Sequence, residues 1–154
     1  MLGKAKKYVL ADTGFWRALF QSGDQFHESA KSYARTIEPY YTFVPWPVLY
    51  ETLNGHFVKT PGCVAQIDAA LKRPGIVLFD DKPYRDAAKE KALGIRLGQR
   101  KDISLVDWVI RMMVEAGKPR IDYLVTCSPG DFMDVCSLRR VEPLILEDGR
   151  RSRR

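Results

Sequence analysis

Four acidic residues stand where carboxylates could meet. Asp12 ends the short apolar run Tyr8–Asp12 and is followed by Thr13 and Gly14. Asp131 comes after a second apolar run, in the segment TCSPGDF. Glu51 and Asp107 fall in the first two turns of stretches with helical patterning. Carboxylates crowded at one place repel, and are tolerated only with shared protons or bound divalent cations. An all-oxygen donor set suits Mg²⁺ or Mn²⁺ rather than zinc. Such a centre activates water and neutralises charge on a phosphate under attack.

Each acid taken singly also has an ordinary structural role open to it. Asp12 is a good N-cap for a helix that follows. Glu51, off the stripe formed by Trp46, Leu49, Tyr50, Leu53 and Phe57, reads as a solvated surface residue. Asp107 lies at the border of an apolar arc with Ile103, Ile110 and Val114, where an acid is costly unless paired or metal-bound. Ser104-x-x-Asp107 also has the form of a weak capping box. Asp131 could cap a short helix, and Asp134 competes with it as the acid of that turn.

The elements that must position these acids alternate. Strands are expected over Tyr8–Asp12, Tyr41–Val44, Gly75–Phe79, Tyr123–Cys127 and Val141–Leu146, the last at an edge because of Pro143. Helices are expected over Gly14–Gln21, Asp24–Ile37, Pro45–Phe57, Pro61–Lys72, Asp86–Leu97, Ser104–Ala116 and Gly130–Cys136. Gly117 and Pro119 stop the sixth of these. This alternation predicts an α/β fold, with a parallel five-stranded sheet covered by helices on both faces. Ligands of such sheets bind beyond the carboxyl ends of strands, near the point where strand order reverses. Asp12 and Asp131 would both lie on that edge.

Composition narrows the function classes. The 154 residues are 45% hydrophobic and 29% charged, the profile of one globular domain. No apolar run approaches the roughly 18–20 residues that span a bilayer, and the apolar stretch after the basic Met1–Lys7 is too short for a signal-peptide core. The expected location is the cytoplasm. Cys63, Cys127 and Cys136 are odd in number and lack CxxC spacing, so they read as core residues rather than disulfides or zinc ligands. The net charge is +6, but without Lys4, Lys6, Lys7, Arg150, Arg151, Arg153 and Arg154 the rest of the chain carries about −1. The expected organisation is a domain over 1–149 and a basic tail over 150–154. That tail is either a solvated end or an attractor of phosphate or of an acidic partner.

Four stretches together resemble the PIN domain family and, within it, the VapC-like toxins of type II toxin–antitoxin pairs. They are VLADTGFWRALFQSGDQFHESA, VPWPVLYETLN, ISLVDWVIRMM and IDYLVTCSPGDF, in that order. The resemblance runs from about Tyr8 to Leu146. It implies a three-layer PIN-like sandwich in which Asp12, Glu51 and Asp107 are the core metal ligands and Asp131 the fourth acid. Thr13 and Thr126 are then hydroxyls at the phosphate or water. Where many relatives carry Asp or Asn two residues after that Thr, this chain has Ser128. The implied activity is Mg²⁺- or Mn²⁺-dependent endoribonuclease action on RNA. The implied partners are a cognate antitoxin, which places a basic side chain among the acids, and a second copy in a homodimer.

Rival readings are a non-catalytic PIN-like module that binds RNA or protein, and a housekeeping RNA-processing nuclease. A phosphatase built on Asp12 would need a second Asp at position 14, which is Gly. His27 is expected to hold the second helix near the first, not to act in chemistry. The pairs Phe15–Trp16 and Tyr40–Tyr41 are assigned to core packing ahead of an interface.

Overall fold

The computed structural model of the chain describes residues 5–94 and 102–151. Five short strands form one sheet: β1 (Tyr8–Ala11), β2 (Tyr41–Pro45), β3 (Ile76–Phe79), β4 (Tyr123–Thr126) and β5 (Glu142–Ile145). All neighbours are parallel, and the order is β3-β2-β1-β4-β5. The central strands are apolar on both faces. Val9, Leu10, Ala11, Leu124 and Val125 are fully buried, as a parallel sheet covered on both sides requires. β5 is an edge strand, and Pro143 sits in it, where a missing N–H costs least.

The helices are α1 (Thr13–Phe20), α2 (His27–Ile37), α3 (Trp46–Thr52), α4 (Gly55–Lys59), α5 (Cys63–Leu71), α6 (Lys82–Leu93), α7 (Leu105–Ala116) and α8 (Met133–Arg139). Crossovers between parallel strands are right-handed. The steps from β1 to β2 to β3 and the return to β4 run in opposite directions, which sends their helices to opposite faces. In agreement, α1 packs with α2, α3 and α5, while α7 packs with α6 and α8; α3 also touches α7.

Three expectations for helices need correction. The stretch Pro45–Phe57 is two helices, because Asn54 turns its side chain to the amides of His56 and Phe57 and starts α4. The stripe expected there fails with it. α3 buries Val48 and Leu49, together with Thr52, and leaves Trp46, Tyr50 and Leu53 at the surface. The fifth helix begins at Lys82 rather than Asp86, since Pro83 is tolerated in a first turn; its expected end at 95–97 lies outside the described residues. The segment Gly130–Cys136 divides into a 3-10 turn, Pro129–Asp131, and α8.

Cys63 and Cys136 are buried and Cys127 is half-buried; all three are free thiols. Phe15 and Trp16 are core residues in edge-to-face contact, which removes them from any interface. Tyr40 stacks on Tyr123, and Tyr41 on Tyr8. His27 donates from Nδ1 to the carbonyl of Ala18 at 2.7 Å, tying α2 to α1 as expected. Of the basic ends, Lys6 and Lys7 lie over the rings of Tyr41 and Tyr123, and Arg150 and Arg151 are exposed. Lys4, Arg153 and Arg154 lie outside the described residues. No helix among the described residues is long and apolar enough to cross a membrane.

Candidate active site

Strand order reverses between β1 and β4: the chain leaves β1 toward β2 on one side and leaves β4 toward β5 on the other. The helices that follow them diverge to opposite faces, opening a crevice at the carboxyl edge. Asp12 stands at its centre. It follows β1 directly, and its amide donates to Val125 of β4 at 3.0 Å. Its side chain is 5% exposed. One carboxylate oxygen accepts the Phe15 amide at 3.1 Å and caps α1, while the other accepts a short hydrogen bond from the Thr126 hydroxyl. Asp12 is thus an N-cap and an edge carboxylate at once.

Of the other acids only Asp107 arrives on a helix start; Glu51, expected in the first two turns of its helix, lies in the last turn of α3, because that helix ends at Thr52. Glu51 projects from α3 at the surface and accepts a short hydrogen bond from Thr13, the residue after Asp12. Asp107 sits in the first turn of α7. Ser104 caps that helix, accepting the Asp107 amide at 3.1 Å and donating its hydroxyl to Asp107 at 2.9 Å. Asp131 closes the 3-10 turn after β4, and the N-cap position of α8 falls to Phe132. Asp134 is spent differently: both its oxygens accept from Arg111 of α7, at 2.8 and 2.7 Å. That pairing holds its carboxyl down at about 2.

Electrostatics show that the first group shares one field. Burial pushes the Asp12 carboxyl up from 3.8 to about 6, and the charges of Asp107 and Glu51 add to the rise against the hydrogen bonds that oppose it. Burial likewise raises Asp107, aided by the charges of Asp131 and Glu51. Among the described residues no lysine or arginine pairs with Asp12, Glu51 or Asp107. A buried carboxylate with like charges around it and no cation partner is destabilised at neutral pH. The donor set is all oxygen, which matches a hard divalent cation. The side chains are not drawn into a closed shell, however. No three acidic, histidine or cysteine residues among those described lie close enough to hold an ion. The set fits such an ion in chemistry and charge.

Two participants escaped the sequence reading. Arg111 is 7% exposed, stacks on Trp108, and also donates a short hydrogen bond to the Asp131 carbonyl. It therefore pins the turn that carries Asp131. The available signal was an arginine inside the apolar run of α7. The second is the contact between Gly14 and Cys127. A Cβ on Gly14 would lie 2.4 Å from the Cys127 sulfur and 3.3 Å from an Asp12 oxygen. Gly14→Ala is therefore expected to cost about 1–3 kcal/mol in thermal or denaturant unfolding. Cys127→Ala in the same chain should restore most of the loss. A Gly14→Ala protein as stable as the parent would show that the contact is loose.

No protein-family model matches the chain, and no curated protein matches its sequence. Among solved structures the chain is similar to the Mycobacterium tuberculosis toxin VapC20, described as cleaving the sarcin–ricin loop. The match has a TM-score of 0.57 and 25% identity, and covers 75% of this chain and 86% of that one. The fold is PIN-like, with the five-stranded parallel sheet expected from the four sequence stretches.

Proposed function

We propose that this chain is a divalent-metal-dependent endoribonuclease of the VapC type, the toxin of a toxin–antitoxin pair. One observation carries the reading. At the switch point of a PIN-like sheet, a buried carboxylate, Asp12, is held near Asp107 and Glu51 without a cationic partner among the described residues. The similarity to a toxin described as cleaving the sarcin–ricin loop supports the same activity class here.

In this reading Asp12, Glu51 and Asp107 hold the ion, Mg²⁺ or Mn²⁺, and Asp131 joins from the turn after β4. When bound, the ion supplies Lewis-acid charge neutralisation at the scissile phosphate and lowers the pKa of water. The protein's own part is orientation. Thr126 fixes the rotamer of Asp12, Thr13 that of Glu51, and Ser104 that of Asp107. Each hydroxyl donates to a carboxylate oxygen and so aims it. Hydrolysis forms a bond from the water oxygen to phosphorus and breaks the bond from phosphorus to the leaving sugar oxygen. An antitoxin would silence the site by placing a basic side chain among these acids, and the protein would act as a homodimer.

The test is cleavage of structured and single-stranded RNAs, a sarcin–ricin hairpin included, with Mg²⁺ or Mn²⁺, with EDTA, and with Asp107→Asn. Metal-dependent cleavage lost on chelation and in the variant is expected. The spacing of the acids favours one competitor, a PIN-like module that binds RNA without cutting it. RNA binding unchanged by EDTA, with every RNA left whole, would establish that competitor instead.

A further inference from the structure

The strand register places an aromatic pair on the same edge as the acids. Leu10 of β1 is level with Phe43 of β2. Two residues further along are Asp12 and Pro45, and Pro45 is level with Phe79 of β3. Trp46 is the next residue, so it stands beside the Asp12 crevice on the side toward β3. Tyr50 follows one helical turn later, and its ring lies 5.9 Å from that of Trp46, with the planes tilted by 41°. Glu51 comes directly after.

The pair does not serve to seat the helix. α3 buries Val48, Leu49 and Thr52, while Trp46 is 38% and Tyr50 72% exposed. The other two tryptophans, Trp16 and Trp108, are buried. A cation lies within electrostatic reach of Tyr50. Arg85 of α6 is held through two hydrogen bonds to Asp81, at 3.0 and 2.9 Å, and its charge interacts with Tyr50.

We propose that Trp46 and Tyr50 form a stacking platform for a nucleobase of single-stranded RNA. The inference rests on the ribonuclease reading and names how that site holds its substrate. A single strand alternates anionic phosphates with flat bases. The edge offers the acids proposed to hold the cation and two exposed rings, and the charge of Arg85 reaches the second ring. Stacking on aromatic rings is tolerant of sequence, and a guanidinium beside them adds attraction for both base and phosphate. A second copy of the chain is the less favoured occupant. It would bury Glu51 and Arg85 against itself, and buried charges are costly unless they are paired across the interface.

Binding of a short mixed-sequence oligoribonucleotide with Mg²⁺, measured in an Asp12→Asn background that leaves the RNA whole, tests the proposal. RNA is expected to quench tryptophan fluorescence, and Trp46→Phe should remove the quench while keeping most of the affinity. Trp46→Ala and Tyr50→Ala should each weaken binding by about tenfold. The molecular mass in solution should stay the same in every variant. Affinity unchanged by both alanine variants would overturn the proposal, and so would a fall in mass caused by either, which would make the face a subunit interface. If the wild-type protein cleaves RNA with metal while the alanine variants bind as tightly as their parent, the platform fails and the nuclease stands. If RNA binding depends on the two rings but no RNA is cut, the platform stands and the nuclease fails. If RNA is neither bound nor cut, both fail.

Discussion

Asp12→Asn is expected to abolish cleavage while making the metal-free protein more stable at neutral pH. Loss of a ligand acid should exceed the 10–100-fold typical of losing a supporting hydrogen bond, so the rate should fall at least about a hundredfold. The stability gain follows from where the carboxyl sits. Its folded value of about 6 lies above the 3.8 of an unperturbed group, because burial and the charges of Asp107 and Glu51 disfavour ionisation. A raised folded value means the folded state binds the proton more tightly than the unfolded chain does. The resulting stability is complete below about pH 4 and is lost as pH rises through 6. The shift corresponds to about 3 kcal/mol at most. Asn keeps an acceptor for the Phe15 amide and removes the charge, so it should recover about 1–3 kcal/mol at pH 7 and nothing at pH 4. Thermal unfolding in EDTA at the two pH values checks this. Added Mg²⁺ should stabilise the wild-type protein and leave the variant unmoved. A variant that melts below wild type at pH 7 would mean that the Asp12 carboxylate is satisfied without metal.

Asp134→Ala should destabilise the fold and loosen the turn that carries Asp131. It strips a buried arginine of its ion-pair partner, since the Arg111 side chain is 9% exposed while that of Asp134 is 60% exposed. Removing one partner of a fully buried pair costs about 3–5 kcal/mol; water at the exposed carboxylate reduces that here to about 1–3 kcal/mol. Arg111→Met should cost less, because a similar apolar volume replaces the charge and leaves only an exposed acid behind. The pH dependence is opposite to that of Asp12. Asp134 is held down at about 2 by Arg111, so its contribution is present above about pH 4 and disappears as pH falls through 2. Urea unfolding of both variants at pH 7 and at pH 3 measures the difference. Equal losses for Asp134→Ala and Arg111→Met would show that the hydrogen bond from Arg111 to the Asp131 carbonyl, rather than the ion pair, sets the cost.

Both variants probe one feature of the molecule. Ionised Asp12 and Asp107 oppose folding at the switch point, and hydrogen bonds hold them there. Thr13, Ser104 and Thr126 each donate to one of the switch-point acids. Asp134 is the contrasting acid of the same edge. It is neutralised by a guanidinium, and so it stabilises the fold instead of straining it.

Much of this was legible in the residues themselves. Apolar runs of four or five residues between helical stretches located every strand, because a buried parallel strand needs side chains that are apolar on both faces. Pro143 marked its strand as an edge. Asp12 at a strand end and Ser104-x-x-Asp107 at a helix start were readable because caps and strand ends are local matters, decided within three or four residues. The helix break at Asn54 was missed because its apolar positions continue the helical spacing, while the asparagine side chain captures two amides and restarts the chain. The tertiary structure alone decided which acids share a field. Asp131 and Asp134 are three residues apart and equally acidic in sequence. One feels Asp107 and the other is paired with Arg111, from a helix more than twenty residues earlier. It also decided that Trp46 and Tyr50 face outward while Val48 and Leu49 face in. Helical spacing shows which residues share a face, but which face meets the sheet depends on the direction in which the chain leaves the strand before it.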